Sequence, residues 1–127
     1  MNKSTISARL VSVALAIAAV FGLTLGLSGC SSQTVDMNTV TAVIDVRTPA
    51  EIAEGHLDGA ININWEDIGF ADEVSALDKD GVYVLYCRSG NRAGQAIDAM
   101  TSMGFTNLTN AGGVDAASAF TGLDIVQ

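Results

Sequence analysis

The sequence predicts a small α/β fold, in which a central parallel sheet of four or five strands is flanked by helices. Beyond residue 40, short β-branched and aromatic runs alternate with stretches of helical periodicity. Strands that alternate with helices over so short a chain pair in parallel through right-handed crossovers. The roughly 98 residues that follow residue 29 have room for one domain with a modest core, and not for a second.

The domain begins with a strand and a short helix. Residues 40–46 are apolar and β-branched, which is typical of a buried strand. Thr48 can cap the next helix, Pro49 suits its first position, and Glu51 completes a capping box. Gly55 is placed to end this helix.

The middle of the chain contains two further strands, separated by an acidic segment. Residues 60–64 alternate between apolar and polar, which predicts a second strand. The acidic segment 65–77 contains one helix near residues 72–77, and a turn of aspartate and glycine residues follows at 78–81. The run Val-Tyr-Val-Leu-Tyr at residues 82–86 has the composition and length of a buried strand.

A helix, a weaker strand and a final helix complete the domain. Residues 93–103 place apolar side chains along one helix face, and a glycine closes this helix. The weaker strand is predicted at residues 106–110 and is followed by an Ala-Gly-Gly loop at 111–113. Residues 114–120 form the final helix.

Three chemically distinctive segments are expected at one edge of the sheet. The segments 45–47, 87–92 and 111–113 each lie at the end of a predicted strand. Parallel sheets bind ligands outside the carboxyl ends of their strands. The sequence therefore predicts a functional site at this edge.

A thiol occupies the middle segment, whose residues are Cys87, Arg88, Ser89, Gly90, Asn91 and Arg92. Unpaired N–H groups and the dipole at a helix N-terminus favour an anion there. The two arginines add positive charge, so we expect a lowered pKa for the Cys87 thiol and an anionic substrate beside it. The alternative is a buried structural cysteine, since free cysteines are often buried.

Residues 1–29 are predicted to be a bacterial secretory signal. Lys3 and Arg9 form a basic region with no acidic residue nearby. The apolar run at residues 10–27 ends in small residues and has no basic stop-transfer flank. The alternative is an uncleaved N-terminal anchor helix.

The sequence Leu-Ser-Gly-Cys that ends at Cys30 resembles the lipobox of bacterial lipoproteins, in which this cysteine carries the lipid. The resemblance implies a lipidated Cys30 with a polar tether at residues 30–39, followed by the domain at residues 40–127. Two or more acyl chains give stable membrane attachment. We therefore expect an extracytoplasmic protein anchored to a bacterial cell membrane, on the periplasmic side or the outer surface.

The chain is strongly acidic. Cleavage removes two of the six basic residues and leaves all fourteen acidic ones, so the formal net charge changes from −8 to −10. This charge excludes nucleic acid as a partner and opposes docking on anionic lipid. We expect a monomer that needs no cofactor and no metal. Lipidation of Cys30 leaves Cys87 as the only free thiol, and a disulfide between the two is the alternative.

Three motifs follow one another along the domain: Ile-Asp-Val-Arg-Thr-Pro-Ala-Glu at residues 44–51, Gly-His-Leu-Asp-Gly-Ala-Ile-Asn-Ile at 55–63, and Val-Leu-Tyr-Cys-Arg-Ser-Gly-Asn-Arg-Ala at 84–93. Gly104-Phe105 and Gly112-Gly113 come after them. In this order the motifs resemble those of single-domain rhodaneses, and the resemblance covers about residues 40–120.

The resemblance implies a rhodanese-like α/β fold and a sulfurtransferase activity. In this family a loop cysteine takes a sulfane sulfur from a donor such as thiosulfate, as a persulfide, and passes it to cyanide or a thiol. Carried over by position, Cys87 is the catalytic nucleophile, and the N–H groups of residues 88–92 cradle the sulfur. Arg92 is expected to donate to loop carbonyls or to the substrate. Arg88 either steers an anionic donor or is solvated.

Three residues outside the loop receive roles by the same resemblance. Asp45 and Arg47 are expected to form a structural ion pair behind the loop. His56 is the only histidine, and its place in the family's Gly-His-Leu segment implies a structural role, with a general base as the alternative.

Loop length separates sulfur transfer from phosphate chemistry. The predicted loop has six residues from Cys87 to Arg92, whereas related phosphatases have seven, with arginine where this chain has Ala93. A shorter loop suits one sulfur atom better than a tetrahedral phosphate. The chain also departs from the family, because no tryptophan follows Gly113 and the region before Val40 is short. Both departures leave fewer apolar side chains for the expected core.

The leading hypothesis is a lipid-anchored, extracytoplasmic sulfurtransferase. The alternative is a non-catalytic rhodanese-like module at the cell envelope that binds or senses persulfide or oxidation through Cys87. The intact thiol and both loop arginines favour the enzyme. A purely structural lipoprotein leaves the loop unexplained, and thioredoxin-like exchange lacks a Cys-x-x-Cys pair.

Overall fold

The computed structural model describes residues 33–127 and contains the predicted elements in the predicted order. The helices are α1 (Pro49–Ile52), α2 (Phe70–Ser75), α3 (Asn91–Ser102) and α4 (Val114–Thr121). The strands are β1 (Ala42–Asp45), β2 (His56–Leu57), β3 (Ile61–Asn62), β4 (Val82–Tyr86), β5 (Asn107–Asn110) and β6 (Ile125–Val126). Four of them form a parallel sheet in the order β3-β1-β4-β5, which confirms the predicted α/β fold.

Strand β4 lies inside the sheet between β1 and β5, and its position explains its unbroken apolar sequence. Tyr83 and Leu85 belong to one buried cluster, whereas Val84 and Tyr86 belong to another. A strand that is covered on both faces needs no polar face, so the alternation seen in half-exposed strands is absent. The strand bounds predicted from the sequence are those of the structure.

Helices α2 and α3 cover the first face of the sheet. Ala93, Ala96 and Met100 of α3 are fully buried, as the helical periodicity predicts. Helix α2 begins two residues before the predicted start, because Phe70 and Val74, four positions apart, both reach the core.

Helix α4 and the segment that precedes β1 cover the second face. Ala117 of α4 is fully buried there, with Phe120 packed beside it. Val35 and Met37 pack on the same cluster, and the Val35 N–H donates to the Phe120 carbonyl at 2.9 Å. Part of the segment predicted as a tether therefore belongs to the folded domain.

The sequence does not predict the second sheet, an antiparallel pair formed by β2 and β6. Each of these strands has only two residues, too few for an alternating pattern to be visible. Leu57 of β2 is fully buried. The Asp58 N–H donates to the Asp124 carbonyl at 2.8 Å, so the last residues of the chain are fastened to the domain.

Within residues 33–127, no helix is both long and apolar enough to cross a membrane. The same part of the chain contains no group of three or more histidine, cysteine or carboxylate side chains arranged to hold a metal ion. The predicted signal and Cys30 lie outside the residues that the structure describes.

Candidate active site

The segments that follow β1, β4 and β5 lie side by side at the carboxyl edge of the sheet, as predicted. On one side of β4, the Val46 N–H donates to the Tyr86 carbonyl at 3.1 Å. On the other side, the Cys87 N–H donates to the Gly112 carbonyl at 3.0 Å. The Cys87 segment is therefore held between its two neighbours, because β4 lies between β1 and β5.

The Cys87 loop is shorter than predicted, because α3 begins at Asn91. Gly90 has a φ of +92°, a left-handed conformation that favours glycine, and it turns the chain into the helix. Its N–H donates to Cys87 Sγ at 3.0 Å. The loop thus consists of residues 87–90, and Asn91 and Arg92 form the first turn of α3.

Three side chains in the loop and at the start of α3 are exposed to solvent. Arg88, Ser89 and Asn91 are exposed. Asn91 Oδ1 accepts from Gln95 Nε2 at 2.8 Å, one turn along the helix. Arg88 is therefore the cation of the loop that remains accessible to an incoming anion.

The pKa of the Cys87 thiol lies below its ordinary value even though the residue is fully buried. Burial raises the pKa, because it disfavours the thiolate. The backbone N–H groups of Ala93, Ser89, Gly90 and Arg92 lower the pKa and outweigh burial, and the Gly90 N–H makes the hydrogen bond to the sulfur. Such groups are available because the first N–H groups of a helix have no helical partner. Backbone donors, and not the two arginine side chains, are thus the main cause of the predicted pKa shift.

The Arg92 guanidinium binds two carboxylates, whereas the resemblance implied donors to loop carbonyls or to the substrate. Its Nη1 and Nη2 lie 2.8 Å and 2.7 Å from Oε2 and Oε1 of Glu51, and Nη1 lies 3.3 Å from Glu66 Oε2. The hydrogen bonds from Arg92 lower the pKa of Glu51 to about 2. Glu51 also accepts from the Thr48 N–H at 3.1 Å, in the predicted capping box. Arg92 therefore fastens α3 to α1.

Asp45 and Arg47 form a buried ion pair. Arg47 Nη2 lies 2.7 Å from Asp45 Oδ2, and the two residues are 5% and 1% exposed. The same nitrogen donates to the Gly55 carbonyl at 2.7 Å, and the guanidinium lies 5.7 Å from the centroid of the Tyr86 ring. The pair links the end of β1 to the chain that follows α1. It therefore supports the structure beside the Cys87 loop, as expected.

His56 lies in β2, where it pairs with Val126 of β6. Its Nδ1 forms a hydrogen bond of 3.2 Å with the Ile52 carbonyl. These contacts connect β2 to α1, and they agree with the structural role expected for His56. We assign His56 no role as a general base.

Three residues with contacts at the site have no assigned site role in the sequence prediction. Glu51 is visible only as part of a capping box, and its second role with Arg92 depends on the fold. Glu66 lies in an acidic segment with nothing to single it out. Asn110 contacts both loops beside Cys87, and its position just before Ala-Gly-Gly is the only signal that could have indicated it.

The lowered pKa predicts how fast Cys87 reacts at different pH values. We expect the alkylation rate by iodoacetamide to reach half of its maximum at a pH below about 8.5, which is the pKa of an ordinary cysteine thiol. At any given pH the thiolate fraction is then larger than that of an ordinary thiol, and it falls as the pH falls through the lowered pKa. Peptide mass spectrometry follows Cys87 separately from Cys30. The midpoint is the informative quantity, since burial limits the absolute rate; a midpoint at or above 8.5 would contradict the role of the backbone donors.

Substitution of Gly90 by alanine tests the shape of the loop. The left-handed φ makes alanine unfavourable by about 1–2 kcal/mol, and its Cβ would lie 3.2 Å from Gly112 Cα. We expect the loop to shift, so that the Gly90 N–H leaves Cys87 Sγ and alkylation at neutral pH slows.

Gly59→Ala is the matched control, because Gly59 has a φ of +78° with nothing within 4 Å of the added carbon. Both variants should lose a similar free energy of unfolding, and only Gly90→Ala should lose thiol reactivity. Equal reactivity in the two variants would show that the Gly90 conformation does not matter to the sulfur.

Comparison with known proteins places these features in one family. A family model described as a rhodanese-like domain matches residues 32–119. The thiosulfate sulfurtransferase PspE of Escherichia coli is 37% identical over 71 residues, which are 56% of this chain and 68% of that protein. A sulfurtransferase of Allochromatium vinosum is 38% identical over 84 residues, which are 66% of this chain and 77% of that protein.

A solved structure described as a rhodanese with anions from E. coli has 31% sequence identity and a TM-score of 0.57, and the match covers 68% of this chain and 96% of that one. The family model covers more than half of the chain, including all of the main sheet and the Cys87 loop. The chain therefore belongs to the rhodanese-like domain family, and its relatives include sulfurtransferases.

Proposed function

We propose that this protein transfers a sulfane sulfur from a donor such as thiosulfate, through a persulfide on Cys87, to a thiol or cyanide acceptor. The observation that carries the proposal is the turn of backbone around Cys87 Sγ, where the Gly90 N–H donates to the sulfur at 3.0 Å and neighbouring N–H groups stabilise its negative charge. The sulfurtransferase names of similar proteins support it.

The first step loads the sulfur. The Cys87 thiolate attacks the outer sulfur of thiosulfate, and a bond forms between these two sulfur atoms. The original sulfur–sulfur bond breaks, and sulfite leaves with its electron pair and two negative charges. The remaining negative charge is on the terminal persulfide sulfur, where the donors that stabilise the thiolate can stabilise it in turn.

The second step returns the enzyme to its starting form. Cyanide, or the thiolate of an acceptor, attacks the terminal sulfur and takes it. The persulfide bond breaks with its electrons on Cys87, which is again a thiolate. Thiocyanate leaves if cyanide is the acceptor, and a persulfide of the acceptor leaves if it is a thiol. No proton transfer is required in either step, which fits the absence of a role for His56.

Charge and loop size favour a small sulfur anion over a phosphate ester. Arg88 is exposed in the loop, whereas the guanidinium of Arg92 is bound to Glu51 and Glu66. Arg88 is thus the side chain placed to attract an anionic donor to an otherwise acidic protein. The loop turns into α3 after Gly90, so the donors enclose a space suited to one sulfur atom.

A non-catalytic module that senses persulfide or oxidation is the second candidate. Full burial of Cys87 favours it, because a buried sulfur exchanges slowly with donors and acceptors. Such a module would accept a sulfur once and release it slowly. Turnover therefore distinguishes the two functions.

The test is multiple turnover by the purified protein with thiosulfate and cyanide. We expect thiocyanate in large molar excess over protein. Formation of no more than one thiocyanate per protein molecule would support the sensing module. The absence of both thiocyanate and persulfide with several sulfane donors would reject sulfur chemistry at Cys87.

We also propose that a lipid on Cys30 anchors the domain to a bacterial cell membrane outside the cytoplasm. The basic region, the apolar run and the lipobox-like sequence support this location. Cells that express the protein should incorporate labelled palmitate into it, and Cys30→Ser should remove the label. Labelling that survives Cys30→Ser would contradict a lipid at this position.

A further inference from the structure

Asn110, at the carboxyl end of β5, joins the two loops that meet beside Cys87. Its Nδ2 donates to the Gly90 carbonyl at 2.9 Å, and its Oδ1 accepts from the Gly112 N–H at 2.9 Å. One primary amide thus satisfies a backbone acceptor in one loop and a backbone donor in the other. An aliphatic side chain at this position could do neither.

These bonds close a ring that includes the reactive sulfur. The Cys87 N–H donates to the Gly112 carbonyl at 3.0 Å, and the Gly112 N–H donates to Asn110. Asn110 donates to the Gly90 carbonyl, and the Gly90 N–H donates back to Cys87 Sγ at 3.0 Å. Four residues are therefore connected in a circuit, and Asn110 contributes the only side-chain amide in it.

The ring spans two parts of the molecule that could otherwise move apart. Cys87 is attached to β4 and to Gly112, whereas the Gly90 N–H that donates to its sulfur, and the other N–H groups that lower its pKa, belong to the loop and to the first turn of α3. The Gly90 carbonyl already accepts from the Gly94 N–H at 2.9 Å within the helix. The bond from Asn110 to the same carbonyl therefore holds the beginning of α3 to the end of β5.

Glycine at position 90 makes this connection important. Glycine allows a wide range of backbone angles, so the direction of the Gly90 N–H is not fixed by its own side chain. Asn110 fixes the following peptide group, which joins Gly90 to Asn91, through its carbonyl oxygen and so restricts the backbone angles that Gly90 can adopt. The close approach of Gly90 to Gly112, where an added Cβ would lie 3.2 Å from Gly112 Cα, agrees with two loops held tightly together.

We propose that Asn110 is a positioning residue that holds the N-terminal end of α3 where its backbone N–H groups reach Cys87 Sγ. It acts through Gly90 and Gly112 and does not itself contact the sulfur. The inference rests on the proposed function only in assuming that Cys87 is the residue that carries sulfur. The ionisation of the Cys87 thiol can be measured by alkylation, without any sulfur transfer.

The test is the pH profile of Cys87 alkylation in the full-length protein, followed by peptide mass spectrometry. We expect Asn110→Ala to move the midpoint upward and to slow alkylation at neutral pH by about two- to tenfold, the size expected when one hydrogen bond is lost. An unchanged midpoint would overturn the proposal. A residue that only stabilised the fold would change the thermal transition and leave this midpoint in place.

Asn107→Ala is the matched control, because Asn107 is an exposed asparagine at the other end of the same strand. Its Nδ2 contacts the Asp80 carbonyl at 3.4 Å and Thr106 Oγ1 at 3.3 Å, both outside the Cys87 loop. We expect this variant to keep the wild-type midpoint. An equal shift in both variants would assign the effect to β5 in general and would reject the specific role of Asn110.

Asn110→Asp provides a second variant that keeps the Gly112 bond and loses the donor to Gly90. Measured in about 1 M salt, which screens the added charge, it should also show a raised midpoint. A wild-type midpoint would contradict the proposal even if Asn110→Ala failed to fold. Since alkylation uses neither donor nor acceptor, a failure of this proposal is distinguishable from a failure of the sulfurtransferase assignment, which the thiocyanate measurement tests.

Discussion

Replacing Cys87 by serine should reduce thiocyanate formation from thiosulfate and cyanide by at least about a thousandfold, as is typical when a nucleophile is removed. A serine hydroxyl does not ionise near neutral pH and cannot hold the sulfur as a persulfide, so no carrier remains. Serine has nearly the same shape as cysteine and leaves the loop amides in place. The measurement is the rate of thiocyanate release at saturating thiosulfate, with both proteins at equal folded concentration.

Ser89→Ala is the control for this substitution. Ser89 is an exposed residue in the same loop, and its backbone N–H, which alanine keeps, is the part that lowers the pKa of Cys87. We expect Ser89→Ala to retain most of the activity. Continued thiocyanate formation by the Cys87→Ser protein would show that sulfur moves by a route that does not use Cys87.

Replacing Asp45 by asparagine should lower the free energy of unfolding by about 3–5 kcal/mol, because it leaves the buried charge of Arg47 without its partner. Asp45 is 1% exposed and accepts hydrogen bonds from Arg47 Nε, Arg47 Nη2 and the Arg47 backbone N–H. Asparagine preserves the shape and removes the charge. Such a loss is a large part of the stability of a small domain, about 5–15 kcal/mol in total. Urea denaturation monitored by circular dichroism measures it.

Asp98→Asn is the matched control, since Asp98 is an exposed aspartate on α3. It should change the free energy of unfolding by no more than about 0.5 kcal/mol. The double variant Asp45→Asn with Arg47→Met removes both charges and should regain part of the loss. A single Asp45→Asn variant as stable as Asp98→Asn would contradict a supporting role for the ion pair.

The elements that the sequence predicts well are those whose causes are local. The run of residues in β4 shows burial on both faces, and the capping residues Thr48 and Glu51 lie three positions apart. The thiol between a strand and a helix is likewise visible as a local pattern. Strands β2 and β6 are too short to carry a pattern, because partners far along the chain define them.

The details of the site depend on contacts that no local pattern contains. Arg92 and Glu51 are 41 positions apart in sequence, and only the packing of α1 beside α3 brings them together. Positive side chains in the loop suggest an electrostatic origin for the reactivity of Cys87. Backbone donors are the larger cause, and their direction depends on the left-handed turn at Gly90 and on the start of α3.

The proposed persulfide on Cys87 is tested most directly by mass spectrometry of the intact protein after incubation with thiosulfate alone. We expect the mass to rise by one sulfur atom, peptide mapping to place that atom on Cys87, and cyanide to remove it. The Cys87→Ser protein should show no such increase. An unmodified Cys87 after exposure to the donor, or a sulfur found at another residue, would contradict sulfur transfer through this loop.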